Sequence, residues 1–125
     1  MNEKQLETQI LDWLNYQPNV FAFKVNTTGI FDPVRKVFRT IKNKHIHKGT
    51  ADILGLTLGK FFAIEVKTKQ TLRAAKINPK ARDCSQDDFL RRVVSRGGYA
   101  LKTSSLEDVV QFIFDIQRFS KSEIL

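Results

Sequence analysis

The sequence predicts an α/β fold, a mixed β-sheet flanked by helices, in the order α-β-(hairpin)-β-β-α-β-α. Three observations carry that prediction. Amphipathic segments with helical spacing stand near both ends of the chain, with another before the last strand. Two apolar runs, 51–58 and 61–68, are separated only by Gly59–Lys60. The short strands do not alternate regularly with helices, which argues against a doubly wound sheet. With 125 residues, 42% hydrophobic and ten Phe, a single domain over 1–125 with one core is expected.

Residues 3–16 carry Leu6, Ile10 and Leu14 at i, i+4 and i+8, the stripe of an amphipathic helix, and Pro18–Asn19 end it. Val20 to Val25 is apolar and aromatic, a strand. Asn26–Thr27–Thr28–Gly29 is turn chemistry. Residues 34–47 alternate β-branched and basic side chains and read as an exposed hairpin. The runs 51–58 and 61–68 read as a β-hairpin turning at Gly59–Lys60. Residues 69–83 are basic, contain Pro79, and read as a loop or short excursion. Ser85 to Arg96 is a helix with Ser85 as N-cap and Asp87 and Asp88 in its first turn, stopped by Gly97–Gly98. Tyr99 to Thr103 is a short strand. Ser104 to Phe119 is the last helix, with a capping box from Ser104 and Glu107.

Charge narrows the function classes. There are 21 Lys and Arg against 13 Asp and Glu, a net charge of +8 and a pI near 9.8. That excess points to a polyanionic partner, nucleic acid before an acidic membrane surface. No apolar run approaches the roughly 20 residues needed to span a bilayer. The start, MNEKQLETQI, does not resemble a signal peptide, and the lone Cys84 has no internal disulfide partner. A cytoplasmic protein is expected. Residues 33–82 hold 13 Lys and Arg but only two acids, Asp52 and Glu65.

Those two acids break the pattern of their strands. Alternation puts Glu65 and Lys67 on one face of 61–68, with Phe62, Ile64 and Val66 on the other. Asp52 opens the preceding strand on the face of Leu54, Leu56 and Leu58. A hairpin brings the start of one strand beside the end of the other, so two carboxylates and an amine converge. Charges among apolar strands cost free energy unless they are paired or bind metal. Hard divalent cations select carboxylate, carbonyl and water oxygens, and a lysine beside them can stabilise phosphate charge. A structural ion pair of Lys67 with Glu65 or Asp52 satisfies the same spacing. Two polar residues on apolar faces favour a site. On the first helix Glu7 lies about 100° from Leu6 and Leu14 about 80°, so Glu7 shares the apolar side, as does Glu3. On the later helix Gln86 lies between Phe89 and Leu90.

Taken together, these residues resemble a known family. Lys48-Gly49-Thr50-Ala51-Asp52-Ile53-Leu54-Gly55, then Gly59-Lys60-Phe61-Phe62-Ala63-Ile64-Glu65-Val66-Lys67, is similar to the VRR-NUC branch of the PD-(D/E)XK, restriction-endonuclease-like nucleases. Ser85-Gln86 opening a helix, Gly97-Gly98-Tyr99-Ala100 before the last strand, and Phe23-Lys24-Val25-Asn26-Thr27 after an acidic helix continue the likeness over roughly 3–115. The resemblance implies Asp52 and Glu65 as metal ligands with the Val66 carbonyl, and Lys67 as catalytic lysine. It implies Gln86 near the site and Glu7, in preference to Glu3, as the helix acid completing it. It also implies Mg²⁺ or Mn²⁺ as cofactor and hydrolysis of DNA phosphodiesters, with branched DNA such as a Holliday junction, or duplex DNA, as substrate. A homodimer and a bacterial or phage source are implied in the same way. The basic segments would follow the DNA backbone through Arg35, Lys36, Arg39, Lys42, Lys44, Lys48, Lys69, Arg73 and Lys76. The stretch between Lys67 and Gln86 is longer and more basic than the short loop of the family pattern.

Other signals carry less. His45 and His47 share a strand face, but no further Cys or His completes a zinc site at ligand spacing. Thr57-Leu58-Gly59-Lys60 lacks the glycine spacing of a phosphate loop. Trp13 and most Phe read as core, and Arg91, Arg92 and Arg96 as a solvated helix face; Phe38 could stack on an unpaired base. Three other functions are open. A binding module on the same fold would hold DNA without cutting it, an RNA-directed nuclease would share every feature, and a basic protein with an acidic protein partner would ignore nucleic acid.

Overall fold

The computed structural model describes residues 1–25, 30–39, 45, 49–71 and 84–124; the side chains at 30, 31, 38, 39, 84–86 and 119–124 lie outside that description. The predicted element order holds. Helix α1 (Glu3–Tyr16) leads to β1 (Val20–Lys24), then β2 (Ile30–Asp32), β3 (Val37–Arg39), β4 (Ile53–Thr57) and β5 (Lys60–Val66). Helix α2 (Cys84–Ser95), strand β6 (Tyr99–Thr103) and helix α3 (Leu106–Ile124) follow.

A four-stranded sheet runs β1-β4-β5-β6, and β2-β3 form a separate two-stranded ribbon. β1/β4 and β4/β5 pair antiparallel, whereas β5/β6 is parallel and is crossed over through α2. Helices α1 and α3 cover one face. Their Ile10, Leu14, Val109, Ile113 and Ile116 close a core with Ala22, Ile53, Phe62, Ile64 and Val66. Helix α2 lies over the other face, at β5 and β6.

Local chemistry accounts for the element ends. Asn2 caps α1 in a reciprocal box with Gln5. Helix α2 stops at Gly97, whose φ of 90° no side-chain-bearing residue adopts easily. The amides of Gly97 and Gly98 close back on the Val94 and Val93 carbonyls, the paired bonds of a Schellman turn. Asn15 ties α1 to β1, since its amide both accepts from the Ala22 N–H and donates to the Ala22 carbonyl, each at 3.0 Å.

Three expectations need correction. The ribbon lies at 30–39, not 34–47, because Asp32–Pro33 forms its turn: Asp32 Oδ1 accepts from the Val34 and Arg35 amides. Most of 40–48 lies outside the described residues. The β4–β5 turn is Leu58–Gly59, not Gly59–Lys60. Both residues have positive φ, 50° and 77°, the two-residue primed turn that matches strand twist, and Thr57 therefore faces Lys60. The last helix is capped by Ser105, not Ser104. Ser105 Oγ accepts from the Asp108 amide, and Thr103 Oγ1 braces the turn by donating to Asp108 Oδ2 at 2.8 Å. Thr68 Oγ1 accepts from the Thr71 amide where 69–71 enter a helical turn; residues 72–83 lie outside the described residues.

Candidate active site

β4 and β5 are the two central strands, and their paired ends carry the chemistry. Ile53 faces Ile64, so Asp52, one residue before β4, comes beside Glu65 and Val66. The Val25 amide donates to the Asp52 carbonyl at 2.9 Å, continuing the β1–β4 ladder. Asp52 Oδ2 in turn accepts from the Val66 amide at 2.9 Å. The Asp52 carboxylate is thus fixed against the β5 main chain.

Alternation then separates the two faces of β5. Phe62, Ile64 and Val66 enter the core, while Glu65 turns to the α2 side with 1% of its surface exposed. Lys67 Nζ lies 3.5 Å from Glu65 Oε1, and the Lys67 amide donates to the Thr103 carbonyl at 2.9 Å, tying it to β6. Burial, and after it the charge of Asp52, push the Glu65 carboxyl up to about 8, with Lys67 opposing them in part. Two acids and one lysine in so little water make a site where a divalent cation is better accommodated than two bare charges. By donor chemistry, Asp52 and Glu65 fit such an ion.

Glu7 reaches the same end of the sheet from α1. It is 6% exposed, and its Oε1 lies 2.9 Å from Lys24 Nζ at the end of β1. Among the described residues no group of three or more Asp, Glu, His or Cys side chains is placed to hold a metal ion. Glu3 is only half-buried at the helix start.

Gln86 lies in the first turn of α2, and its side chain is outside the described residues. The helix around it is anchored. Lys102, the β6 neighbour of Glu65, places its Nζ 2.6 Å from Asp87 Oδ1. That bridge holds the start of α2 beside Glu65. Sequence reasoning missed both Lys102 and the role of Lys24. A charged residue in a strand whose alternate neighbours are covered is the signal that could have found them.

Of the basic residues expected on DNA, Arg35 and Lys36 are exposed in the β2–β3 turn, Lys36 with a φ of 55°. Arg39 lies on β3, its side chain outside the description. Lys69 is exposed beside the groove between the starts of α1 and α3, lined also by Asn2, Leu6 and Glu107. Lys42, Lys44, Lys48, Arg73 and Lys76, with His47, lie outside the described residues. No described helix is long and apolar enough to cross a membrane.

The architecture is a mixed sheet whose central hairpin offers two carboxylates and a lysine at one end. Among solved structures it is similar to a VRR_NUC domain protein, with a TM-score of 0.56 over 90% of this chain and 85% of that one. Identity is 14%, so the likeness is one of fold. No protein-family model matches the sequence, and no curated protein matches it. The VRR-NUC resemblance read from the motifs therefore holds as a shared fold.

Proposed function

We propose that residues 1–125 form one nuclease domain, a Mg²⁺- or Mn²⁺-dependent endonuclease that hydrolyses DNA phosphodiesters, selective for branched DNA and acting as a homodimer. The observation that carries this reading is the convergence of Asp52, Glu65 and Lys67 at one end of a buried hairpin on a VRR_NUC-type fold.

Each residue has a task. Asp52 and Glu65 would hold the ion, with the Val66 carbonyl beside them. A divalent ion bound there supplies charge against the phosphate and a water of lowered pKa. Lys67, whose amide is pinned to β6, keeps its ammonium at Glu65 and faces the charge that develops on the phosphate. Burial of Glu65 keeps competing water out, which strengthens each of these interactions. The Lys102–Asp87 bridge holds the start of α2, and so the backbone of Gln86, at the same place. The basic segments add affinity without sequence preference, so selection would rest on DNA shape.

The test is cleavage of labelled four-way junction, flap, duplex and single-stranded DNA, and of matched RNA, with Mg²⁺, Mn²⁺ or EDTA. Wild-type protein should cut DNA only with metal. Asp52→Asn and Lys67→Ala should lower the rate at least about a hundredfold while DNA retention changes little. Firm binding without cutting would leave a non-catalytic module, and preferential cutting of RNA would move the substrate class.

A further inference from the structure

Lys24 has no task in the reading above, yet it stands at the site. It lies on β1 opposite Ile53, the residue after Asp52, and its neighbour Val25 bonds to the Asp52 main chain. By alternation Lys24 shares the side of Ala22, which faces α1. There its Nζ meets Glu7 Oε1 at 2.9 Å. The Glu7 side chain is 8% exposed and that of Lys24 55%, so the ammonium stands on the solvent side of a nearly sealed carboxylate. Glu7 first, and Asp52 after it, push the Lys24 ammonium above the usual lysine range. The pair borders Asp52, the carboxylate that would hold a metal.

A sealed carboxylate needs a positive partner. Glu7 could take a divalent ion, as a helix acid completing a metal site does, but a tethered ammonium already lies within hydrogen-bonding distance. A free ion would have to displace that charge-assisted bond. An ammonium has three donors, of which Glu7 uses one, leaving others for an incoming anion.

We propose that Lys24 is a built-in cation of the site: it neutralises Glu7 where a second divalent ion would otherwise bind, limits the site to one such ion, and offers its ammonium to a phosphate oxygen on the α1 side. This rests on the nuclease reading, and Glu7 is then a positioning residue for Lys24, not a metal ligand.

Counting bound Mn²⁺ by electron paramagnetic resonance and calorimetry, without DNA, tests it. Wild type should bind one ion and Lys24→Met two, and the double variant Lys24→Met with Glu7→Gln should return to one. DNA retention in EDTA should fall about tenfold in Lys24→Met, and Lys24→Arg should restore most of it. Should Lys24→Met fail to fold by circular dichroism, Glu7→Gln alone decides. An unchanged count supports the proposal, and a lost ion shows Glu7 already coordinating and overturns it. A folded Lys24→Met with the wild-type count would also overturn it, leaving a pair that only docks α1 on β1. A wild-type protein that binds no Mn²⁺ would remove the metal reading itself, a result distinct from the failure of Lys24 alone.

Discussion

An ionised Glu65 would place a second negative charge beside Asp52 where almost no water reaches, and the molecule answers by holding a proton there. Its ordinary value of 4.5 rises to about 8 on folding. The folded state therefore keeps a proton that the unfolded chain releases between those values, and stability should fall as pH rises across that window. Glu65→Gln removes the conflict. In EDTA its melting temperature should match wild type near pH 4.5 and exceed it by about 4 °C or more above pH 8, since every tenfold change in proton affinity is worth about 1.4 kcal/mol. A wild type that gains stability over the same range would show Glu65 ionised and paired with Lys67. At this scale the sequence was informative where charge was isolated. Asp52 and Glu65 stood out as the only acids in a basic stretch of 50 residues, 33–82. The Glu7–Lys24 bridge was not legible, because it joins residues 17 positions apart through a helix packing that no local spacing encodes.

Among the elements, β4 is held closest. A methyl group on Gly55 would strike the Phe62 ring and come within 2.7 Å of the Phe21 carbonyl oxygen, which cannot yield without breaking the sheet. Gly55→Ala should lower stability by about 1–3 kcal/mol in thermal melts. An unchanged melting temperature would mean that β1 and β5 shift freely around β4. Helices and β6 were readable because period and punctuation agreed: Leu6, Ile10 and Leu14 for α1, Gly97–Gly98 before β6. The ribbon was misplaced because its turn is made by Asp32–Pro33, a signal outweighed by the β-branched and basic alternation that follows. In β1 every position but Lys24 is apolar, so alternation could not show that Ala22 would be covered while Phe21 and Phe23 remain 63% and 45% exposed.

For the molecule as a whole, fold class and element order followed from the sequence, while the arrangement of the faces did not. Phe21, Phe23, Leu56 and Phe61 sit in the register of one face, and α2 covers only its β5–β6 half. Nothing in a list of apolar residues distinguishes that face from the core, because which strands a crossover helix shelters is settled by packing over the whole chain. The order β1-β4-β5-β6 also has a consequence in time. Both carboxylates of the proposed site belong to the inner strands, whereas Lys24 and Lys102 ride on the outer ones. Outer strands open more readily than inner ones. In amide hydrogen exchange, the β4 and β5 amides should outlast those of β1 and β6. Brief fraying would then release the grip of the two lysines on Glu7 and Asp87 while Asp52 and Glu65 stay in place, so the molecule can loosen what surrounds its chemistry without dissolving the chemistry itself.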